Sequence, residues 1–314
     1  MTVLDPLAAR YARPARYAPA SVDDDPATVL AMQLVLRLER AAPPSRTALL
    51  EAAATAAVAV CLDPRSAPGG QWHDAVAAWV AGRIRKVSRR ARGAHWHAVH
   101  RLPGITVSQP PATTAAAAPV PAPSGDDVTF PPSNGDDVTS SPNEPDGRGG
   151  PDQPDGPLPA QVRALVPCPV AELPREVSRL QVAGTDLPAD EPGPPPDGVP
   201  VLWLNPSVPM TAGKAAAQVG HATMIAAALL HATGDDAALA GWAARGYRVA
   251  VRTAGHERWR AMRPDDDPLT AWRRRRVAAV RDAGFTEVAP GTVTVVAQFA
   301  PAPYPFPVDG PSNR

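Results

Sequence analysis

Lys214, Gln218 and His221 stand at i, i+4 and i+7 in the run Met210 to Ala222, M-T-A-G-K-A-A-A-Q-V-G-H-A, so a helix carries all three on one face. A lysine can stabilise a developing oxyanion or hold a phosphate without giving up its proton. A histidine can exchange a proton near neutral pH, although a histidine on such a face is often a satisfied core group, and the glutamine can simply bond backbone. The same stripe also describes the solvated side of a buried, Ala-rich helix. Gly213-Lys214 opens the helix, where backbone N–H groups lack intrahelical partners, which makes this start a candidate anion or oxyanion site. A cation there opposes the helix macrodipole, so a helix built for stability alone would not place it.

A strand at Val201–Leu204 and a Pro-containing loop must position this helix. A second stretch, Val280 to Pro301, reads V-R-D-A-G-F-T-E-V-A-P-G-T-V-T-V-V-A-Q-F-A-P. Asp282 lies in a turn at a strand edge, where it could orient or deprotonate a water or, equally, close an Asx-turn on local N–H groups. Thr286, Thr292 and Thr294 could hydrogen-bond an ester or a ribose, and threonine is also an ordinary strand residue. No Ser-His-Asp spacing is present, and His221 and His231 lack a carboxylate at ligand spacing. No metal and no cofactor is expected. The two cysteines, Cys61 and Cys168, read as ordinary thiols.

Together the two stretches resemble the second, archaeal and eukaryotic type of peptidyl-tRNA hydrolase. Gly213, Lys214, Ala216, Ala217, Gln218, His221 and Ala222 match its G-K-x-A-A-Q-x-x-H-A helix. Asp282, Ala283, Gly284 and Thr286 match its D-A-G-x-T turn. Gly291, Thr292, Thr294 and Pro301 match its closing strand, with Ala300 where that family usually has Gly. The resemblance covers roughly residues 199–303. It implies hydrolysis of the ester joining a peptide to tRNA, with peptidyl-tRNA as partner. It also implies a four-stranded mixed sheet with helices on both faces. Lys214 and Asp282 become the catalytic candidates, and Gly213, Gln218, His221, Thr286, Thr292 and Thr294 the substrate-binding ones. A non-catalytic RNA-binding or regulatory protein of the same fold, or a hydrolase of another acyl ester, is the alternative.

The charge distribution suits an RNA partner. The formal net charge of zero conceals eleven Lys/Arg against four Asp/Glu over residues 26–107, one against eight over 108–158, and eleven against four over 245–281. The run Arg273, Arg274, Arg275, Arg276 is the densest cluster and a candidate RNA contact. No signal-peptide pattern opens the chain and no apolar run reaches membrane-spanning length. A cytoplasmic protein without a membrane partner is expected.

Proline is 41 of 314 residues and sits mainly in a few stretches, which delimit the folded parts. Residues 1–26 read as a flexible arm. Residues 27–184 read as a first domain, interrupted by a disordered, acidic insertion over 108–158. Residues 185–199 form a linker, 200–303 the catalytic domain and 304–314 a tail. The first domain looks like a degenerate copy of the second. Gln33 to Arg46 aligns without a gap on Val201 to Lys214, and Trp79 and Trp96 share the 17-residue spacing of Trp242 and Trp259. Gly104-Ile105-Thr106 takes the place of Gly284-Phe285-Thr286, and Val162 to Pro167 that of the last strand with its closing Pro301. In that alignment Lys214 becomes Arg46, Gln218 becomes Leu50, His221 becomes Ala53 and Asp282 becomes Leu102: the apolar frame is kept and the polar groups are lost. The fold class is therefore α/β, two tandem three-layer units, monomeric through pairing of the halves or else homodimeric.

Overall fold

The computed structural model describes residues 2–11, 28–110, 159–264, 267–284 and 287–299. In the first unit, β1 (Leu30–Arg37) is buried along almost its whole length, as its run of Leu, Val and Met requires of a strand covered on both faces. A tight loop leads to α2 (Arg46–Leu62), where Ser45 caps the start by accepting from the Ala48 N–H. Then come α3 (His73–Ala81), β2 (Arg85–Ala91), α4 (Gly93–Val99), β3 (Gly104–Gln109), β4 (Ala160–Leu165), the two-residue β5 (Cys168–Pro169) and α5 (Arg175–Ser178). The second unit repeats the theme: β6 (Val201–Leu204), α6 (Ala212–Ala232), α7 (Asp236–Ala244), β7 (Ala250–Thr253), α8 (His256–Met262), α9 (Pro268–Arg275), β8 (Val277–Arg281) and β9 (Val293–Gln298).

Both sheets are mixed and share one order, β2-β1-β4-β3 in the first and β7-β6-β9-β8 in the second, with β5 added beside β1. In each, the first two strands are parallel and the other pairs antiparallel. The registers correspond as well. Gln33 pairs with Val87 and Leu34 with Ser88; Val201 pairs with Ala250 and Leu202 with Val251. The tryptophans occupy matching places. Trp79 and Trp242 are buried, and each donates its indole N–H, over 2.9 Å, to the carbonyl six residues on, Arg85 or Arg248. The residue before each of those carbonyls, Ile84 or Tyr247, takes a left-handed conformation, at φ 48° and 56°.

The registers also correct the sequence alignment. Leu34 pairs with Ala164 and Leu202 with Ala297, while Gly104 opposes Leu165 and Val277 opposes Gln298. Gly104 therefore corresponds to Val277, not to Gly284, and counting along the strands places Gln109, not Leu102, at the position of Asp282. The mismatch has a physical cause: Gly-x-Thr recurs at turns and strand starts alike, and only pairing fixes register. Pro301, the expected counterpart of Pro167, lies outside the described residues.

Helices α2 and α6 pack on each other, and one apolar cluster runs through both units. Thr223 Oγ1 donates to the Ala54 carbonyl and Thr55 Oγ1 to that of Tyr247, fastening the seam from both sides. Three expected boundaries change. Residues 5–11 form a helix, α1 (Asp5–Tyr11), rather than a loose arm: Leu4 and Leu7 are buried and Asp5 meets His231 at 2.7 Å. The third strand runs on to Gln109, which pairs with Ala160, so Ser108 and Gln109 belong to the sheet and not to the insertion. The linker is docked: Thr185 Oγ1 accepts from the Gly213 N–H at the start of α6, and Asp190 accepts from Thr47 N and Oγ1 at the start of α2. The rest of the arm, residues 111–158 of the insertion and the tail lie outside the described residues.

Candidate active site

Helix α6 begins at Thr211, whose hydroxyl accepts from the Lys214 N–H. Glu287 clamps that cap, taking the Thr211 N–H at 3.0 Å and its hydroxyl at 2.8 Å. From this fixed start the i, i+4 spacing aims Lys214 and Gln218 at the end of β8. A register shift between Val280 and Arg281 turns the chain there. Asp282 follows, its backbone held by the Thr292 carbonyl at 2.9 Å and the Gly291 N–H at 2.7 Å.

The side chains meet in a buried chain of hydrogen bonds. Lys214 Nζ lies 2.5 Å from Asp282 Oδ2, and Gln218 Nε2 donates to the same oxygen at 2.8 Å. Thr294 Oγ1 donates to Gln218 Oε1 at 2.6 Å, which fixes the amide with its nitrogen toward the carboxylate. The other carboxylate oxygen accepts the Gly284 N–H at 2.7 Å. The Asx-turn reading of Asp282 is thus met by one carboxylate oxygen, while the other faces the lysine. Asp282 is 3% exposed and the Lys214 side chain 11%, so each charge depends on the other for solvation. Gly284 adopts φ 81°, and a methyl group there would lie 2.7 Å from the Pro290 ring.

Other candidates sit differently. The helix-start donors are not free: Gly213 N–H is taken by Thr185 and Lys214 N–H by Thr211. Gly213 is needed for close approach, because a β-carbon would lie 2.5 Å from Thr185 Oγ1. His221 meets the first unit, its Nδ1 3.2 Å from Lys86 Nζ. Burial next to two lysines, Lys86 and Lys214, keeps that imidazole well below its ordinary pKa and therefore neutral. Thr292 takes part through its carbonyl, and Thr286 lies outside the described residues. Arg273, Arg274 and Arg275 are exposed, but Arg276 is buried, bonded to Asp235 and set over Trp272. It ends α9 in a left-handed conformation and is not open to RNA. Thr211, Glu287 and Thr185 escaped the sequence reading. Thr211 carried a signal, a cap hydroxyl three residues before Lys214; the others are distant in sequence.

Among the described residues no group of three or more His, Cys, Asp or Glu side chains is placed to hold a metal ion. Helix α6 is long and apolar enough to cross a membrane, but it is a core helix, with 83% of the apolar window buried.

Residues 199–305 match the family model for peptidyl-tRNA hydrolase PTH2. The second unit is thus a PTH2-type domain, and the match leaves the first unit uncovered. No curated protein and no solved structure matches the chain.

Proposed function

We propose that the PTH2-type unit hydrolyses the ester of peptidyl-tRNA, releasing peptide and free tRNA. The observation that carries this reading is the buried Lys214–Asp282–Gln218–Thr294 chain inside residues matched by the family model. When Lys214 turns to substrate, Asp282 Oδ2, still held by Gln218 Nε2, takes a proton from a water, while Oδ1 stays tied to the Gly284 N–H. That water attacks the ester carbonyl carbon. Lys214 stabilises the oxyanion, and collapse expels the ribose oxygen, which takes back the proton held by Asp282 and leaves as the hydroxyl of free tRNA. Gln218 holds the carboxylate in place, and Thr294 holds Gln218.

The exposed Arg273, Arg274 and Arg275 supply phosphate contacts in this reading. The first unit descends from a copy of the second: the shared strand order, the registers and the paired tryptophan bonds support this. It has kept the frame and lost the chemistry, and the chain supplies its own pair. A hydrolase of another acyl ester would use the same groups, and a binding module would use none of them catalytically.

The test is turnover of peptidyl-tRNA against unblocked aminoacyl-tRNA by the whole chain. Asp282→Asn and Lys214→Ala should each lower turnover of peptidyl-tRNA by ~10²-fold or more while circular dichroism shows a folded protein. Wild-type rates in both folded variants would remove the assignment.

A further inference from the structure

Lys86 is the most unusual polar residue outside the Asp282 site. It leaves β2 of the first unit and crosses onto α6 of the second. Its Nζ lies 3.2 Å from His221 Nδ1, 3.0 Å from Met224 Sδ and 4.9 Å from the centre of the Trp79 ring. Gly220 makes room for it. A methyl group on Gly220 would lie 3.2 Å from Lys86 Cδ and Cε and 3.1 Å from Ala57 Cβ. The trough is specific to one side of the seam. The corresponding residues across it are Val249 in place of Lys86, and Ala52, Ala53 and Ala56 in place of Gly220, His221 and Met224. The unit whose own helix lost the polar stripe thus sends a lysine to the stripe of the other unit.

The acceptors around Lys86 define what the amine can do. A thioether has no hydrogen to give, and an ammonium can only donate. Bound to a cationic Lys86, His221 must therefore offer the Nδ1 lone pair and carry its hydrogen on Nε2. His221 as a residue is half-buried, and no described neighbour bonds Nε2. The charged and titratable groups that face the imidazole are Lys86 from β2 and Lys214 from α6; Cys61 of α2 faces Lys86, and burial pushes its thiol up to about 12, so it stays neutral.

We propose that Lys86 is a positioning residue for the second unit: by donating to Nδ1 it fixes His221 as the Nε2–H tautomer, which presents a hydrogen-bond donor to an acceptor oxygen of the substrate two helical turns beyond Lys214. The substrate contact rests on the hydrolase reading; the tautomer does not. The site is then incomplete without the first unit, whose copy of the machinery is otherwise gone.

The experiment is long-range proton–nitrogen NMR on the 15N-labelled full chain at pH 6, with steady-state kinetics on peptidyl-tRNA. The wild type should show His221 with Nε2 protonated and Nδ1 bare. Lys86→Met should move the His221 pKa up toward the ordinary value of about 6.5, so that its ring is largely doubly protonated at pH 6 and a mixture of neutral tautomers once the pH is raised above that value. Lys86→Arg, which can still donate, should restore the wild-type pattern. Lys86→Met should also raise KM about tenfold with little change in kcat, the signature of a lost binding hydrogen bond. An Nδ1–H tautomer in the wild type, or an unchanged tautomer in Lys86→Met, overturns the positioning role. An unchanged KM overturns the substrate contact. Absence of wild-type turnover with the expected tautomer overturns the hydrolase reading alone.

Discussion

Replacing Lys86 by Met should flatten the dependence of stability on pH above neutrality. Burial beside the apolar seam pushes the Lys86 amine from 10.5 down to about 7. Between those values the unfolded chain holds a proton that the folded protein has released. Raising the pH through this window therefore favours the folded state. A difference of one bound proton is worth about 1.36 kcal/mol for every pH unit crossed, so two pH units give at most about 3 kcal/mol. Because the amine is only half deprotonated at pH 7, the gain from pH 7 to 9 comes to about 2 kcal/mol. Above pH 9 the sign reverses for other groups. Cys61 and Tyr11 are each pushed up to about 12 by burial, so the unfolded chain releases their protons first and stability falls. The useful window is thus pH 7 to 9. Equilibrium urea unfolding of wild type and Lys86→Met at both pH values isolates the lysine, since His221, whose pKa the substitution also moves, is largely neutral across this window in both proteins. The wild type should gain about 2 kcal/mol relative to the variant, and the variant should be the more stable of the two at pH 7 because Met fills the trough without a buried charge. Parallel pH profiles in the two proteins would refute a depressed lysine at the seam.

Gly284→Ala should destabilise the second unit by about 1–3 kcal/mol, because the residue sits at positive φ and a methyl group meets the Pro290 ring; thermal unfolding measures it. Deleting residues 112–156 should leave the melting temperature nearly unchanged, since Gln109 and Ala160 are already paired and loop length enters closure entropy only weakly; a large drop would refute it. Charge reversal at the exposed Arg273 and Arg274 should weaken tRNA binding and flatten its dependence on salt, whereas Arg276→Ala should show as lost stability, through its bond to Asp235. Salt titrations of tRNA binding, with unfolding curves alongside, separate the two effects.

The sequence disclosed the local parts of the site. Helical spacing put Lys214 and Gln218 on one face, and a turn at a strand edge marked Asp282. The closure of these groups into one chain with Thr294 depends on how β8 and β9 lie beside α6, which no spacing encodes. His221 shared the face of Lys214, yet its partner comes from the other half of the chain. The Arg273–Arg276 run read as one cluster because composition ignores conformation; the left-handed turn at Arg276 folds that guanidinium inward. The linker read as a spacer because Pro, Asp and Gly dominate it, while Thr185 and Asp190 within it satisfy helix N-termini. The first unit's likeness to the second was legible in its apolar framework, but the counterpart of Asp282 was misplaced, because residue types were matched where only strand pairing fixes position.

The seam between α2 and α6 lies within one covalent chain, and this sets how the protein responds to dilution. Contact between separate subunits weakens as concentration falls, by mass action. Here a tether that is itself bonded to the first turns of both helices holds the two faces at a fixed, high effective concentration. The seam, and with it the reach of Lys86 to His221, therefore survives at any dilution. Two matched units of which only the second carries the described polar array also offer one such site per chain, so titration of that site must saturate at one equivalent per chain rather than two.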